Sequence, residues 1–301
     1  MRILLNQRGG LGNQLFQYAA GLYFAGKYDA TLEIIREPGQ RASSFGHPRQ
    51  LLLPNFRISA PVRERTLLDR LLRSNVRMIA LLAAPVRRFF GAHSHDPYLS
   101  IFEDIQPSLS LPAGTRRLYL NGLFQAYQYA QNVEQQLRRE LVLREPPSGR
   151  NLETLNRIRD SECPVSLHLR RGDYKLYNEG RSLLPVAYYR DAIQAIGERV
   201  ANPTYFVFSD EMAFARESLP EFESMVFVDH NTEESAHEDL RLMSACRHHI
   251  IANSTFSWWG AWLNPNPEKV VVVPDPWYLR RPHTDLIPPR WRRIKWQAPA
   301  S

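Results

Sequence analysis

The sequence predicts an α/β fold of two domains, each built on a doubly wound parallel β-sheet. In the second half, five short apolar runs alternate with helical patterns, which is typical of parallel strands buried on both faces. The N-terminus begins in the same way, with an apolar strand, a glycine-rich loop and a helix. The length of 301 residues agrees with this, since domains commonly have roughly 100–200 residues.

In the first half, the regular elements lie at the two ends. The N-terminal ones are a strand, a tight loop, a helix and a second strand, at Arg2–Asn6, Gly9–Gly12, Asn13–Tyr28 and Thr31–Ile35. A strand at Leu118–Asn121 and a helix at Tyr127–Leu141 follow much later. Arg144–Arg150 (REPPSGR) has the proline, glycine and serine content of a linker. We therefore expect one domain over residues 1–150 and a second over 151–301, with the last residues packing back on the first domain.

The second half has the clearest alternation of strands and helices. Its predicted strands are Val165–Leu169, Tyr205–Ser209, Met225–Val228, Ile250–Ala252 and Val270–Val273. Helices are predicted at Val186–Val200 and Glu233–Cys246, where apolar residues recur at every third or fourth position.

Composition excludes several classes of protein. Apolar residues make up 44% and charged residues 23%, which excludes disorder, collagen and coiled coil. With two cysteines and no apolar run near roughly 18 residues, neither a disulfide scaffold nor a membrane span is expected. The N-terminus lacks the pattern of a signal peptide, so we expect a cytoplasmic protein.

The net charge of +7 favours polyanionic partners, although an arginine-rich genome alone could produce it. One basic segment lies at residues 62–90, where leucines alternate with arginines in the pattern of an amphipathic helix. Such a helix can make a peripheral contact with the inner face of an anionic membrane. We favour the alternative that its leucines pack on the N-terminal domain while its arginines are solvated.

The first candidate ligand site is the N-terminal glycine-rich loop. Gly12, Asn13 and Gln14 lie at its junction with the helix, where N–H groups and side-chain amides can bind a polar or anionic ligand. As a dinucleotide-binding G-x-G-x-x-G sequence the loop is defective, because Leu15 replaces the third glycine. A purely structural turn would have the same sequence.

The second candidate is HLRRGD, at the end of a predicted strand, where open parallel sheets bind their ligands. Side chains alternate along a strand, so His168 and Arg170 point to one side and Arg171 to the other. A guanidinium matches phosphate oxygens with two parallel hydrogen bonds. We therefore expect Arg170 to bind a ligand and Arg171 to pair with an acid such as Asp173. A surface cluster of ion pairs is the alternative.

Two further candidates also follow predicted strands. One is a polar run that opens a helix and can bind phosphate with its N–H and hydroxyl groups, made of Asn253, Ser254, Thr255 and Phe256. Its hydroxyls could equally be helix caps. The other is Asp210, whose carboxylate can accept hydrogen bonds from a guanine edge or ribose, or can cap a helix. The nearby tryptophans Trp258, Trp259 and Trp262 are more typical of a core.

Several well-known sequence motifs are absent. The chain has no D-x-D, P-loop, HExxH or GxSxG sequence. His248 and His249 are consecutive, so their side chains diverge and make a poor metal pair. We therefore expect arginine side chains, with no metal ion and no cofactor, to neutralise a bound anion.

Four segments together resemble α-1,2-fucosyltransferases of glycosyltransferase family 11. They are GGLGNQLFQYA (Gly9–Ala19), HLRRGDY (His168–Tyr174), FSDE (Phe208–Glu211) and the long segment Asp239–Asn264. HxRRxD is shared with α-1,6-fucosyltransferases and nodulation fucosyltransferases, so it indicates use of GDP-fucose rather than a linkage. The family's SDD sequence is changed here, because Glu211 replaces the second aspartate.

The resemblance implies a GT-B architecture, in which two Rossmann-like domains face each other across a cleft. It implies inverting, metal-independent transfer of L-fucose from GDP-β-L-fucose to O2 of a galactose-type acceptor, in surface polysaccharide or oligosaccharide synthesis. A fucosyltransferase of another linkage is the nearest alternative.

The resemblance also implies roles for individual residues. Arg170 would bind the β-phosphate, Asp210 the guanine, and His168 the ribose or sugar region. Ser254, Thr255 and Phe256 would hold the pyrophosphate, while Gly12 and Asn13 would close on the donor from the other domain. Asp173 is a candidate general base, although we favour an ion pair with Arg171.

Two alternatives belong to other classes of protein. A single-stranded RNA-binding protein would explain the basic charge and the 11% aromatic residues, but not the ligand-type loops at strand ends. A nicotinamide-dependent oxidoreductase would use the glycine-rich loop but not the arginine pair. We therefore expect GDP-fucose and a galactoside as partners, and no nucleic acid.

Overall fold

The chain divides into two compact units, Met1–Val142 and Leu143–Ser301. The computed structural model describes residues 1–36, 49–66, 111, 115, 117–175, 182–219, 224–279 and 285–297. Each unit contains a sheet of its own in which every described strand pair is parallel.

The first unit has a four-stranded sheet in the order β3-β2-β1-β4. Its strands are β1 (Arg2–Asn6), β2 (Thr31–Arg36), β3 (Val62–Glu64) and β4 (Arg117–Leu120). Its helices are α1 (Leu11–Lys27), α2 (Tyr127–Asn132) and α3 (Glu134–Glu140). Most of α1 is buried, including Leu15, Phe16 and Phe24, as expected of a helix that is apolar on nearly all sides.

The structure corrects two predictions in this unit. The single helix predicted over Tyr127–Leu141 is two helices, α2 and α3, interrupted at Val133. The insert predicted as a helix over 62–90 begins with strand β3, in which Arg63 Nε binds Glu33 Oε2 on β2 at 2.9 Å. Residues 67–90 lie outside the described ranges, so a membrane contact there stays a prediction.

The second unit has a six-stranded sheet in the order β10-β9-β8-β5-β6-β7. Its strands are β5 (Cys163–Leu169), β6 (Pro203–Ser209), β7 (Met225–Val228), β8 (His248–Ile250), β9 (Val271–Asp275) and β10 (Arg292–Lys295). Its helices are α4 (Gly149–Asp160), α5 (Val186–Gly197), α6 (Met212–Ser218), α7 (Ala236–Ala245) and α8 (Thr255–Leu263). Helix α4 begins inside the predicted linker, and residues 298–301, expected to return to the first domain, are not described.

Helices cover both faces of this sheet, as a doubly wound fold requires. On one face, Leu167 and Leu169 of β5 belong to a core cluster with Ile196 of α5. On the other face, Phe206 and Phe208 of β6 belong to a cluster with helices α4 and α7. The indoles of Trp258 and Trp259 are fully buried, so these tryptophans are part of the core.

A buried polar network joins β8 to β5. The Asn264 side-chain amide donates to His249 Nε2 at 2.8 Å, so the proton of this imidazole is on Nδ1 and is donated to Ser166 Oγ at 2.7 Å. Burial, with Lys269 nearby, lowers the pKa of His249 and keeps the ring neutral. The neighbouring His248 accepts a hydrogen bond from the Val270 N–H at 3.0 Å. Both histidines therefore have structural partners.

Among the described helices, none combines the length and the apolar character needed to cross a bilayer.

Glu140 is a buried carboxylate in the first unit, with 8% of its surface exposed. It accepts hydrogen bonds from the Tyr18 hydroxyl, from the Ser59 N–H and hydroxyl at 3.1 and 2.7 Å, and from Gln136 at 2.8 Å. Burial alone would raise the pKa of Glu140, but these hydrogen bonds outweigh it and leave the pKa below its ordinary value. The charged form therefore stabilises the folded unit.

We expect Glu140→Gln to lower the melting temperature by about 4–8 °C near neutral pH, because donors that now face a carboxylate would face an amide N–H₂. The difference from the wild type should persist down to the ordinary pKa of 4.5 and narrow below it, since the wild-type carboxylate then becomes protonated. Calorimetry over a pH series measures both effects. Glu134→Gln, which removes an exposed ion pair with Arg138, is the control and should change the melting temperature by about 1 °C or less. Equal effects of the two changes would contradict the role of Glu140.

Candidate functional site

The candidate site lies at the C-terminal edge of three adjacent strands, β8, β5 and β6. The loop after β5 carries Arg170 and Arg171 and continues into a short 3₁₀ turn, Gly172–Lys175. The loop after β6 carries Asp210 and Glu211, and the loop after β8 leads into α8. Because the strands are parallel, all three loops emerge at the same edge, as the sequence predicts.

Arg170 and Asp210 form the central ion pair of this site. Arg170 Nε lies 3.0 Å from Asp210 Oδ2, and both side chains are 22% exposed. The other carboxylate oxygen of Asp210, Oδ1, accepts the backbone N–H of Arg171 at 2.9 Å. Asp210 was predicted to bind guanine. In the structure it contacts both residues of the arginine pair.

Arg171 is held by a second set of contacts. Its Nε lies 3.2 Å from Glu211 Oε2, and its guanidinium lies over the Phe214 ring, 3.6 Å from the centroid. The other Glu211 oxygen pairs with Lys175. Burial would raise the pKa of Glu211, but the bonds from Lys175 and Arg171 lower it. Arg171 was expected to pair with an acid such as Asp173, and its acid in the structure is Glu211.

Asp173 is described only by its backbone, which lies in the 3₁₀ turn between Gly172 and Lys175. Its role as a general base stays a prediction.

His168 is buried in the sheet, 4% exposed, rather than open to a ligand. Its ring meets the Phe256 ring edge to face, with centroids 5.7 Å apart. Burial, with a smaller contribution from the Arg170 charge, lowers the pKa of His168 to about 3, so the imidazole is neutral near pH 7. No hydrogen-bond partner for His168 Nδ1 is present among the described residues.

The loop after β8 is tied to the loop after β5. The Tyr174 hydroxyl donates to the backbone carbonyl of Asn253 at 2.8 Å. The Asn253 side chain is 1% exposed and donates to the Ser182 carbonyl at 3.0 Å. These bonds were not predicted, although Tyr174 belongs to the HLRRGDY segment that drew attention to the loop.

Ser254 is the N-cap of α8. Its hydroxyl accepts the Phe256 N–H at 3.4 Å, which is the capping alternative raised from the sequence. Thr255 is the first residue of the helix and is partly exposed, and Phe256 packs against the core. At this edge of the sheet, the main hydrogen-bond donors in the first turn of α8 are therefore backbone N–H groups.

The glycine-rich loop of the first unit is held largely by its own glutamines. Gln14 donates to the carbonyls of Gly9 and Gln50 at 2.9 and 2.7 Å and accepts the Leu52 N–H at 2.9 Å. Gln14 is 2% exposed, so its amide, predicted to bind the donor, is used by the fold. Asn13 Oδ1 accepts a hydrogen bond from Gln125 at 2.9 Å.

Gly9 adopts φ +79°, a left-handed conformation that favours glycine, and an added Cβ would also lie 2.8 Å from Asn13 Nδ2. Gly12 is buried at the start of α1. The sequence of this loop is therefore explained in large part by its own geometry.

Among the described side chains, no group of three or more His, Cys, Asp or Glu could hold a metal ion. The expectation of metal-free chemistry is not tested by this finding and stays a prediction.

The chain was compared with known proteins. A family model, Glycosyl transferase family 11, matches residues 3–295. An Escherichia coli alpha-1,2-colitosyltransferase is 31% identical over 95% of this chain and 97% of its own length. The O-antigen biosynthesis glycosyltransferase WbnK of Escherichia coli is 30% identical, and the alignment covers 94% of this chain and 97% of WbnK. A galactoside alpha-(1,2)-fucosyltransferase 1 of Ateles belzebuth is 27% identical over 85% of this chain, which spans 63% of that protein.

Among solved structures, the NodZ alpha-1,6-fucosyltransferase soaked with GDP-fucose aligns with a TM-score of 0.52 and 14% identity. The alignment covers 86% of this chain and 91% of NodZ. At this identity the likeness concerns the fold alone, and the two parallel sheets are those of the predicted GT-B class.

We expect the His168 imidazole to stay neutral from about pH 8 to 5, because burial and the neighbouring Arg170 disfavour its charged form. Nitrogen-15 NMR of histidine-labelled protein measures this, with the signal assigned by its loss in His168→Asn. A transition of that signal centred near the ordinary value of 6.5 would contradict the burial of the ring.

Proposed function

The chain belongs to glycosyl transferase family 11, and from this premise we propose that it transfers L-fucose from GDP-β-L-fucose to O2 of a galactose-type acceptor. The family supports a fucosyltransferase-type enzyme. The α-1,2 linkage, the inversion at the anomeric carbon and the acceptor belong to the proposal. So does a role in surface polysaccharide or oligosaccharide synthesis, which the O-antigen glycosyltransferase among the relatives favours.

The observation that carries the proposal is the position of Arg170. Its guanidinium is partly exposed after the end of strand β5, and at the same edge of the sheet a helix begins after the neighbouring strand β8. A guanidinium has five N–H donors, so it can bind a ligand while it is paired with a carboxylate. Together with helix N–H groups, this arrangement suits a diphosphate.

The proposed reaction is a single displacement at the fucose anomeric carbon. The bond from that carbon to the β-phosphate oxygen breaks, a bond to the acceptor oxygen forms on the opposite face, and the acceptor proton is lost. Negative charge develops on the departing diphosphate, and stabilising such charge is commonly the largest catalytic contribution. Arg170 would provide it, and Asp173 is the candidate that accepts the proton, for which a weak base suffices when bond breaking is advanced.

The structure changes how the predicted donor-binding residues would act. Ser254 already caps α8 by accepting the Phe256 N–H, so a pyrophosphate contact with either of these groups would have to replace the cap, and Thr255 remains a proposed contact. The neutral His168 would support Phe256 from within the sheet. Gly12 and Asn13 remain proposed donor contacts.

A second candidate donor comes from the relatives. Since the Escherichia coli relative at 31% identity is an alpha-1,2-colitosyltransferase, a nucleotide-linked colitosyl donor is the alternative to GDP-fucose. Assaying both donors with a panel of galactosides, and determining the linkage of any product, distinguishes the two. Binding to single-stranded RNA without protection by GDP against heat would favour the class of RNA-binding proteins instead.

We expect Arg170→Ala to lower kcat about 100-fold or more, as the loss of a comparable anion-binding donor does. Steady-state kinetics with GDP-fucose measures this. Arg150→Ala is the control, because that arginine is 64% exposed and pairs with Asp229 away from the site, and it should leave kcat within about twofold. Activity of Arg170→Ala within tenfold of the wild type would remove Arg170 from the proposed role.

We expect turnover to be unchanged in EDTA, because guanidinium and N–H groups would neutralise the diphosphate without a metal ion. The assay compares initial rates before and after exhaustive chelation, with Mg²⁺ restored in a third sample. Loss of activity in EDTA that Mg²⁺ restores would contradict the metal-free scheme.

A further inference from the structure

Asp210 is fixed at both of its carboxylate oxygens by the arginine pair. Oδ1 accepts the backbone N–H of Arg171 at 2.9 Å, and Oδ2 lies 3.0 Å from Nε of Arg170. A carboxylate anchored by a backbone group has little freedom to turn. It therefore holds the Nε end of the Arg170 guanidinium in one place, and this end determines where the two terminal NH₂ groups point.

Gly172 makes this arrangement possible. A Cβ placed on Gly172 would collide with Oδ2 of Asp210, the same oxygen that contacts Arg170. The obstructing atom is the end of a side chain rather than backbone, so an added methyl group would displace the carboxylate. The cost of a side chain at position 172 would thus be the loss of the ion pair with Arg170.

We propose that Asp210 is a positioning residue that orients Arg170 toward the diphosphate, and that Gly172 is required because the Asp210 carboxylate occupies the space of its side chain. This inference rests on the proposed function. It is the alternative to the expectation that Asp210 contacts guanine, since each of its oxygens already has a partner in the arginine pair. Two like charges on adjacent residues also need such fixed partners, or they would turn apart.

The first test is Asp210→Asn, which keeps the shape of the side chain and removes its charge. We expect kcat/KM with GDP-fucose to fall about 10- to 100-fold, the range for losing a hydrogen bond to a charged group. The fall should lie mainly in kcat, because orientation of Arg170 affects the departing diphosphate most. Asp229→Asn is the matched control, since Asp229 is also a carboxylate paired with arginines, Arg150 and Arg216, one strand further along at the end of β7. It should leave kcat/KM within about twofold.

The second test separates orientation of Arg170 from contact with the base. The affinities of GDP and IDP are measured by calorimetry, because IDP lacks the 2-amino group that a carboxylate on guanine would bind. If Asp210 orients Arg170, Asp210→Asn weakens both nucleotides by the same factor and leaves their ratio unchanged. A fall in the preference for GDP of about tenfold in this variant would overturn the proposal in favour of a base contact.

The third test uses Gly172→Ala alone and combined with Asp210→Asn. If the methyl group acts by displacing the carboxylate, Gly172→Ala lowers kcat/KM about as much as Asp210→Asn, and the double variant loses little more. Independent damage to the loop would instead multiply the two effects. Wild-type kinetics of Gly172→Ala, or a fold-change in the double variant equal to the product of the two single fold-changes, would overturn the role of Gly172.

Failure of the proposed function can be recognised separately. If the wild type binds GDP but transfers no fucosyl group, the donor assignment is wrong, while the GDP and IDP affinities of the variants still decide whether Asp210 positions Arg170. Melting curves of every variant show whether it folds. Asp210→Asn with wild-type affinity and kcat would overturn the positioning role outright.

Discussion

The adjacent guanidinium groups of Arg170 and Arg171 are the constraint on which the candidate site depends. Two like charges on neighbouring residues repel, and each needs an anion to be held in place. The loop after β6 supplies one carboxylate to each, Asp210 to Arg170 and Glu211 to Arg171. The pairing follows from strand register, because Leu169 of β5 lies opposite Ser209 of β6 and the next residues of both strands therefore meet. A slip of one residue would leave one of the two arginines without a carboxylate opposite it.

The hydrophobic core fixes that register. The β5–β6 pairing extends over seven residues of each strand, and buried side chains on both faces exclude a shift, which would turn apolar residues to the wrong side. Burial therefore determines the ion pairs through the register of the two strands. The longer Glu211, in place of the family's aspartate, reaches both Arg171 and Lys175. Glu211 thus binds the 3₁₀ turn after β5 on both sides, at Arg171 and at Lys175.

Much of the fold could be predicted from the sequence, because parallel strands that are buried on both faces consist of short runs of apolar residues. The bounds of β1 and β7 agree with the prediction. The edge strands β3 and β10 were missed, since they are short and rich in charged residues. Helix α4 was not predicted, and its first two residues lie in the predicted linker; only Leu155 and Ile158 on this helix are buried, so its apolar pattern is weak. For the site, the strand ends were predictable and the partners were not. Glu211 is forty residues from Arg171 and becomes its neighbour only through the sheet.

The polar residues of the segments that carry the family resemblance have two different roles, shaping their loops and binding a ligand. Gln14 and Ser254 have the donors and acceptors expected of ligand-binding residues, yet in the structure they bind backbone groups: Gln14 those of its own loop and of residues 50 and 52, and Ser254 that of the helix it caps. The spacing of polar residues in the sequence cannot distinguish the two roles. A loop that presents N–H groups to an anion must also have its own polar groups hydrogen-bonded. Arg170 is different from Gln14 and Ser254, because it pairs with a side chain, Asp210, and its charge remains partly exposed. Loss of a residue that shapes a loop and loss of one that would meet the donor would therefore lower activity for different physical reasons.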